Sequence, residues 1–317
     1  MNDKLRIAIL GATGHIGRSL LHEYAKPGGP SVLAYARRPE ALAADRRALG
    51  DAAFTALPID DFGATSADVV INCVGAGDPA RVRDLGAGLF ALTADFDGRA
   101  LDFLAAEPRR LYVNMSSGAV YGTDFQEPAR RDSTIERSVN RIEPADFYGI
   151  VKRHAEARHR AHGGLNIVDI RVFNYVSRFL NREGRLFIVD LVNALLDGRE
   201  LATMAENAIR DYATPRQLMA MIDGVIRRWQ AAKGPVNAAL DLYTDAPVAK
   251  FDLLTAAQQA FGLRWRITSN ANVVAATGAK SVYYSENHAA ADWGYRPDGR
   301  AIDGVMTTLS ALKAARA

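Results

Sequence analysis

KLRIAILGATGHIG, Lys4 to Gly17, decides how this chain folds. Ile7-Ala8-Ile9-Leu10, with Leu5 just before, is an apolar run of strand length. Gly11-Ala-Thr-Gly14-His-Ile-Gly17 follows at once, and Arg18-Ser-Leu-Leu21 opens a helical pattern. Strand, glycine turn and helix in that order predict a dinucleotide-binding unit. Gly11 permits the tight turn, Gly14 lets the backbone approach a pyrophosphate, and Gly17 lets helix pack closely on strand. The free N–H groups and dipole at the helix N-terminus then hold the phosphate charge. The bland alternative is a glycine turn with no ligand.

Working outward, Ser31–Ala36 is the next expected strand, and Arg37-Arg38-Pro39 follows it. An NAD-binding unit places an acid near this strand end to accept hydrogen bonds from the adenosine ribose. Two guanidinium groups suit a 2′-phosphate instead, so NADP is expected ahead of NAD, the alternative being surface arginines at a helix start. Ala52–Ile59 is a third expected strand. Asp68–Val74 reads as a buried parallel strand, with Gly75-Ala-Gly77 forming the loop beneath the cofactor. Cys73, the single cysteine, is expected as a small core residue; no internal disulfide is possible. Ala80–Ala106 reads as helix with loops, and Arg109–Met115 as a strand leading into Ser116-Ser-Gly-Ala-Val-Tyr-Gly122.

That strand end and the later Tyr148-Gly-Ile-Val-Lys152 carry the expected chemistry. Positions i and i+4 share a helix face, so Tyr148 and Lys152 point the same way. A phenol titrates near pH 10, too high for an efficient base at neutral pH. An adjacent ammonium and an oxidised nicotinamide both favour the phenolate. Tyr148 can then exchange a proton with a substrate hydroxyl or carbonyl, with Ser117 bonding the same oxygen. Lys152 would also bond the ribose of the nicotinamide half. A lone Y-x-x-x-K is weak; its place after a nucleotide-binding half and a serine strand end makes it specific. Tyr121 is a rival base, but no lysine stands four residues after it.

SSGAVYG, YGIVK and Arg171-Val-Phe-Asn-Tyr175, together with the G-x-x-G-x-x-G spacing, resemble the extended short-chain dehydrogenase/reductase superfamily. Within it, the likeness is to the NAD-dependent epimerase/dehydratase enzymes of nucleotide sugars. The resemblance covers most of the chain and is strongest over residues 4–230. It implies Ser117, Tyr148 and Lys152 as the catalytic triad. It implies cofactor contacts at Gly11, Thr13, Gly14, His15, Ile16, Gly17, Arg37, Arg38, Asp60, Val74, Gly75 and Phe173, besides Tyr148 and Lys152. Asn174 falls where the family contacts the nucleotide diphosphate, and Arg210-Asp-Tyr212 resembles a motif whose arginine binds diphosphate or ribose. Substrate contacts are thus expected at Ser117, Tyr148, Asn174 and Arg210, and a homodimer through helices flanking the Tyr148 segment.

Departures from the family pattern carry equal weight. Where the 4,6-dehydratases place an Asp-Glu pair, this chain has Gly118-Ala119, and neither can move a proton. Arg130, Arg131 and Arg141 lie in a long stretch before Tyr148, either solvated or reaching over an anionic substrate. The late phosphate-binding arginine has no clear counterpart; Lys280, before Tyr283-Tyr284, stands nearest.

The expected architecture is α/β, a Rossmann-type doubly wound parallel sheet with a smaller C-terminal substrate lobe of mixed α/β segments. The nucleotide-binding domain takes 1–174, with 208–232 packing back on it, and the lobe takes 175–207 and 233–317. Leu165–Val172 returns to the sheet, Leu191–Leu196 is helical, and Gln217–Ala232 is an amphipathic helix. Val236–Leu242 is a strand, Phe251–Phe261 a helix, Arg264–Thr268 a strand, and Trp293-Gly-Tyr-Arg-Pro297 resembles the signature before the last helix. His154, His159 and His162 have spacings that do not bring all three to one helical face, so they are expected at the surface with no metal.

The bulk numbers agree with a soluble globular protein: 317 residues, 49% hydrophobic, 24% charged and a net charge of +3. The basic residues are dispersed, which argues against nucleic acid or a membrane surface. No apolar run reaches the roughly 18 residues that span a bilayer, and no leader precedes the first strand, so a cytoplasmic location is expected. The leading function is NADP-dependent reduction of a keto group on a nucleotide-linked sugar, such as a 4-keto-6-deoxy intermediate. The alternatives are a nucleotide-sugar 4-epimerase with tightly bound NAD, which needs the same three residues, and a non-catalytic NADP-sensing regulator. Such regulators lose the tyrosine–lysine pair, which this chain keeps.

Overall fold

Ile7 and Ile9 pack into one hydrophobic layer and Ala8 and Leu10 into another, the period-two alternation of a strand buried on both faces. That strand, β1 (Arg6–Leu10), lies at the centre of the sheet in the computed structural model, which describes residues 4–50, 53–136, 139–268 and 281–316. It pairs in parallel with β2 (Ser31–Ala36) on one side and β4 (Val69–Asn72) on the other. Outward lie β3 (Thr55–Pro58) beyond β2, then β5 (Leu111–Ser117), β6 (Asn166–Val172) and β7 (Asn237–Asp241) beyond β4. The order 3-2-1-4-5-6-7, parallel throughout, is a doubly wound sheet whose strand order reverses between β1 and β4.

One face is covered by α1 (His15–Tyr24) and α7 (Pro215–Ala231). Leu20 and Leu21 of the first and Leu218, Met221, Ile222 and Val225 of the second are buried with Ile7 and Ile9. On the other face α4 (Gly88–Ala106) buries Phe96, Ala100, Phe103 and Leu104 against Leu10, Val70 and Tyr112. Beside it lies α5 (Pro144–Ala161). Four helices thus clamp the sheet, and the expected helical stretch Ala80–Ala106 is broken at Gly86 into α3 (Pro79–Leu85) and α4.

A second core gathers α6 (Phe187–Asp197), α8 (Lys250–Phe261) and α9 (Ala301–Ala314) around Val189, Leu191, Leu253, Leu254 and Leu309. Short strand pairs tie these segments: Leu201–Thr203 with Trp265–Ile267, and Ile209–Arg210 between Val248–Ala249 and Val282–Tyr283. The expected lobe boundary shifts here. Residues 233–317, assigned to the lobe, contribute β7 to the main sheet, and Tyr243, Ala290 and Tyr295 to its core. This strand, with Leu240 and Asp241 buried at its end, pairs in parallel with β6.

Local bounds move as well. The third strand starts at Thr55 rather than Ala52, which lies outside the described residues, and the fifth ends at Ser117, two residues later than expected. Among the described residues no helix is long and apolar enough to cross a membrane.

Candidate active site

Gly11 stands at φ +76°, and a Cβ there would lie 3.2 Å from backbone atoms of Cys73 and Val74. A Cβ on Gly17 would overlap the Gly11 carbonyl oxygen. These two glycines let α1 sit directly on the turn. Gly14 caps α1 with no side-chain hydrogen bond, and no acid occupies the first turn, so the leading N–H groups face outward unpaired by side chains. Thr13 and Gly14 are exposed there, while Ile16 packs on the core. A glycine cradle with an uncapped helix fits the pyrophosphate of a dinucleotide. The His15 ring turns inward, edge-on to Tyr175 at 5.0 Å, with Nε2 buried and unpartnered. Burial pushes its pKa down to about 4, so the ring is neutral.

Arg37 and Arg38 follow β2 and are exposed, with no ion-pair partner among the described residues. Asp60 sits just past β3, 93% exposed, with Arg99 donating to its carbonyl at 3.1 Å and to that of Ile59 at 3.0 Å. At the end of β4, Val74 N donates to Asn72 Oδ1 at 3.0 Å, which holds the turn into Gly75. Cys73 is partly buried against the core, where burial raises its thiol to about 12.

Ser117 ends β5 and is buried; its Oγ accepts from Ala119 N at 3.2 Å. Helix α5 starts through a reciprocal cap between Glu143 and Asp146 with Pro144 in its first turn. Gly149 is required between Tyr148 and Lys152, because a Cβ there would lie 2.6 Å from the Ala119 carbonyl oxygen. The helix therefore rides on the loop that follows Ser117. Lys152 is 5% exposed; Nζ donates to Met115 O at 2.7 Å and lies 5.9 Å from the Tyr148 ring centroid. A Cβ on Gly75 would be 3.8 Å from the same Nζ. Ser117, Tyr148, Lys152 and the Gly75 turn are thus brought together at the carboxyl ends of β4 and β5.

Tyr283 joins them, and sequence reasoning gave it no role. It is buried, hydrogen-bonded with Ser117 and within electrostatic range of Tyr148; burial raises its pKa. Phe173 closes the other side, its ring 2.5 Å from where a Gly118 Cβ would stand, so position 118 has no room for an acid. Asn174 and Arg210 lie next to this cluster but bond backbone. Asn174 Nδ2 donates to Asp211 O at 3.1 Å and Tyr283 O at 3.3 Å, and Arg210 Nη1 to Ile209 O at 2.9 Å. Arg130 is exposed and pairs with Glu286 at 3.0 Å, Arg131 and Arg141 are exposed, and Lys280 lies outside the described residues.

Behind the strand ends lies a polar network that no motif announced. Arg171 donates to Glu156 at 2.6 Å and to the Tyr121 hydroxyl at 2.8 Å, and Tyr121 in turn donates to Asp241 at 2.9 Å. Burial, then the Asp241 charge, raises the Tyr121 phenol to about 12, and its hydroxyl is held between Arg171 and Asp241. The histidine expectation needs a correction. His154 and His162 are exposed, but His159 is fully buried between Asp97 and Asp169. Its spacing of eleven from Tyr148 returns it to the sheet-facing stripe of α5, a signal available in the sequence.

The description "NAD dependent epimerase/dehydratase family" belongs to a family model that matches residues 7–240. No curated protein is similar enough to match the chain. Among solved structures, UDP-glucose-4-epimerase from Stenotrophomonas maltophila, with bound NAD and formylated UDP-arabinopyranose, superposes with a TM-score of 0.80 at 16% identity, over 98% of each chain. UDP-glucuronic acid 4-epimerase from Bacillus cereus, in complex with UDP-glucuronic acid and NAD, gives 0.76 at 14% identity, over 98% of this chain and all of that one. UDP-glucose 4-epimerase from Bifidobacterium longum, in complex with NAD+ and UDP, gives 0.75 at 17%, over 98% of each. These likenesses establish the fold. With the family match spanning most of its length, the chain belongs to the NAD-dependent epimerase/dehydratase family of short-chain dehydrogenase/reductase-type enzymes.

Proposed function

We propose that the protein is a nucleotide-sugar 4-epimerase working with bound NAD. The observation that carries this reading is the meeting of Ser117, Tyr148 and buried Lys152 beside the Gly75 turn, in a site with no proton-moving group at positions 118 and 119. The solved relatives above, each a 4-epimerase with NAD, support it ahead of the reductase expected first. When bound, the nicotinamide supplies the hydride acceptor and donor. The backbone N–H groups of Thr13, His15, Ile16 and Gly17 would hold its pyrophosphate, on a turn shaped by Gly11 and Gly14, whose own N–H groups donate to Tyr35 O and Gly11 O, with Val74, Gly75 and Phe173 along the nicotinamide half.

Tyr148 Oη takes the proton of the sugar C4 hydroxyl and later returns it to the same oxygen, so the cycle consumes no net proton. The Lys152 ammonium favours the phenolate, and Ser117 Oγ holds the C4 oxygen. Arg210 would receive the nucleotide diphosphate through the donors its backbone bonds leave free, while Asn174, whose two amide donors hold Asp211 O and Tyr283 O, would fix the segments around it. The acid–base pair a dehydratase would place at positions 118 and 119 is missing, and Phe173 fills the space beside Gly118.

A second reading, NADPH-dependent reduction of a keto-sugar, is favoured by Arg37 and Arg38, exposed and unpaired where a 2′-phosphate would lie. A regulator without chemistry is disfavoured by the retained tyrosine and lysine. We also propose a homodimer through α4 and α5, where Phe90 is 39% exposed and 5.6 Å from Phe147.

Mass spectrometry of the dinucleotide that copurifies, with NADH and NADPH titrations and incubation with UDP-glucose or UDP-glucuronic acid, tests the assignment. Retained NAD and formation of the C4 epimer are expected. A weakly held cofactor with clear NADPH preference and no epimer would overturn it for the reductase.

A further inference from the structure

Tyr148, Lys152, Ala155 and His159 recur at helical spacing on the sheet-facing stripe of α5, and the last of them is bonded on both sides. Nδ1 lies 2.8 and 3.0 Å from the two Asp169 oxygens on β6, and Nε2 lies 2.5 Å from Asp97 Oδ1 on α4. Ionised carboxylates only accept, so both ring nitrogens must carry protons. The surroundings agree. Arg158 bonds Asp97 at 2.9 Å, Arg160 bonds Asp169 at 3.0 Å, and Asn114 on β5 donates to Asp169 at 2.7 Å. The Tyr112 ring stands edge-on to the imidazole at 5.4 Å, Asn237 on β7 donates to the His159 carbonyl at 2.9 Å, and Glu156 and Arg171 act on Arg160 from further off. Burial alone would push the imidazole down; the bonds and charges of Asp169 and Asp97 outweigh it and lift it to about 9.

Hydrogen bonds lead onward from Asp97. The Tyr112 hydroxyl donates to Asp97 Oδ1 at 3.2 Å, Asn72 Nδ2 donates to that hydroxyl at 2.9 Å, and Asn72 Oδ1 accepts from Val74 N at 3.0 Å. The next residue is Gly75, which faces Lys152 Nζ. Two routes from His159 therefore converge on one place, one along α5 to Lys152 and one through Tyr112 and Asn72 to the Gly75 turn.

We propose that His159, held as an imidazolium between Asp97 and Asp169, is a positioning residue for dinucleotide binding, setting the Val74–Gly75 turn against Lys152 through Tyr112 and Asn72. The proposal rests on that turn being part of the cofactor site and is independent of which reaction the site performs. When the imidazolium loses a proton, a ring nitrogen stops donating to its carboxylate. Asp97 then draws more strongly on Tyr112, and the chain of bonds to Val74 readjusts.

The test is the dissociation constant of NADH, with NADPH in parallel, at pH 7.5 and pH 10 for the full chain and its Tyr112→Phe variant, with ¹⁵N NMR of the histidine rings. Tyr112→Phe keeps the ring and deletes the link. Expected are a wild-type affinity at least about fivefold weaker at pH 10, a ratio below about twofold in Tyr112→Phe, and two protonated ring nitrogens on His159 at pH 7.5. Every other group of the site is the same in both proteins, so the difference reports the link. The same pH ratio in both proteins overturns the proposal while leaving the cofactor reading intact. A neutral His159 ring at pH 7.5 overturns it even if the variant does not fold. No binding of either dinucleotide by the wild type overturns both readings.

Discussion

Lys152 is an ammonium taken out of water and given one backbone carbonyl, Met115 O, as its hydrogen-bond acceptor. An ammonium has three donors, so two remain for groups that arrive in the site. Its proximity to Tyr148 places a positive charge beside the phenol proposed to exchange the substrate's proton. Tyr148→Phe deletes the proposed proton carrier and leaves the ring. Turnover is expected to fall by about 10²–10⁴-fold, with the dinucleotide dissociation constant within about twofold of wild type. Steady-state kinetics beside cofactor titration check this, and full activity in the variant would remove Tyr148 from the chemistry.

The element that matters most is α5, because its fit decides whether Tyr148 and Lys152 reach β5 at all. Gly149 lets the helix rest on the Ala119 carbonyl, and that atom belongs to backbone, which yields less readily than a side chain. In an ordinary exposed helix position Gly→Ala stabilises slightly through the unfolded state. Here the added methyl must displace the helix. Gly149→Ala should lower stability by about 1–3 kcal/mol, the range of overpacking, and lower kcat. Gly163, which has open space around its Cβ position, is the control: Gly163→Ala should leave the urea midpoint and kcat unchanged. Equal effects of the two substitutions would show that the close packing of α5 is unimportant.

For the whole molecule, burying His159 with two carboxylates links folding to pH. Its folded-state pKa of about 9 lies above the 6.5 of an unfolded histidine, so the folded state binds the proton more tightly. The resulting stabilisation is fully present below about pH 6.5 and is lost as pH rises through about 9. Asp169 shifts the other way: burial is the largest single influence and raises its pKa, but the hydrogen bonds and charges of His159, Asn114 and Arg160 together outweigh it and lower the pKa, so its contribution holds above the usual carboxylate range and fades only in acid. Thermal unfolding should therefore show a Tm that falls by several degrees between pH 7 and pH 10. The slope should be shallower in His159→Gln. A parallel slope in the two proteins would show that other groups set the alkaline limit.

The sequence alone determined the features that are local in the chain. The glycine turn between β1 and α1 depends on three residues and one change of direction, and the four-residue spacing of Tyr148 and Lys152 depends only on helix geometry. The parallel sheet followed from apolar runs of strand length, most of them separated by helical patterns. Tertiary structure decided what depends on residues far apart in sequence. Tyr283 reaches Ser117 across 166 positions, His159 meets Asp97 across 62, and β7 joins the sheet rather than the lobe because its neighbour β6 leaves an edge to pair. The side chains of Asn174 and Arg210 likewise turn to backbone carbonyls of segments folded against them. Periodicity reports which face of an element is buried, but which charged groups meet within that buried face is set only when the elements pack.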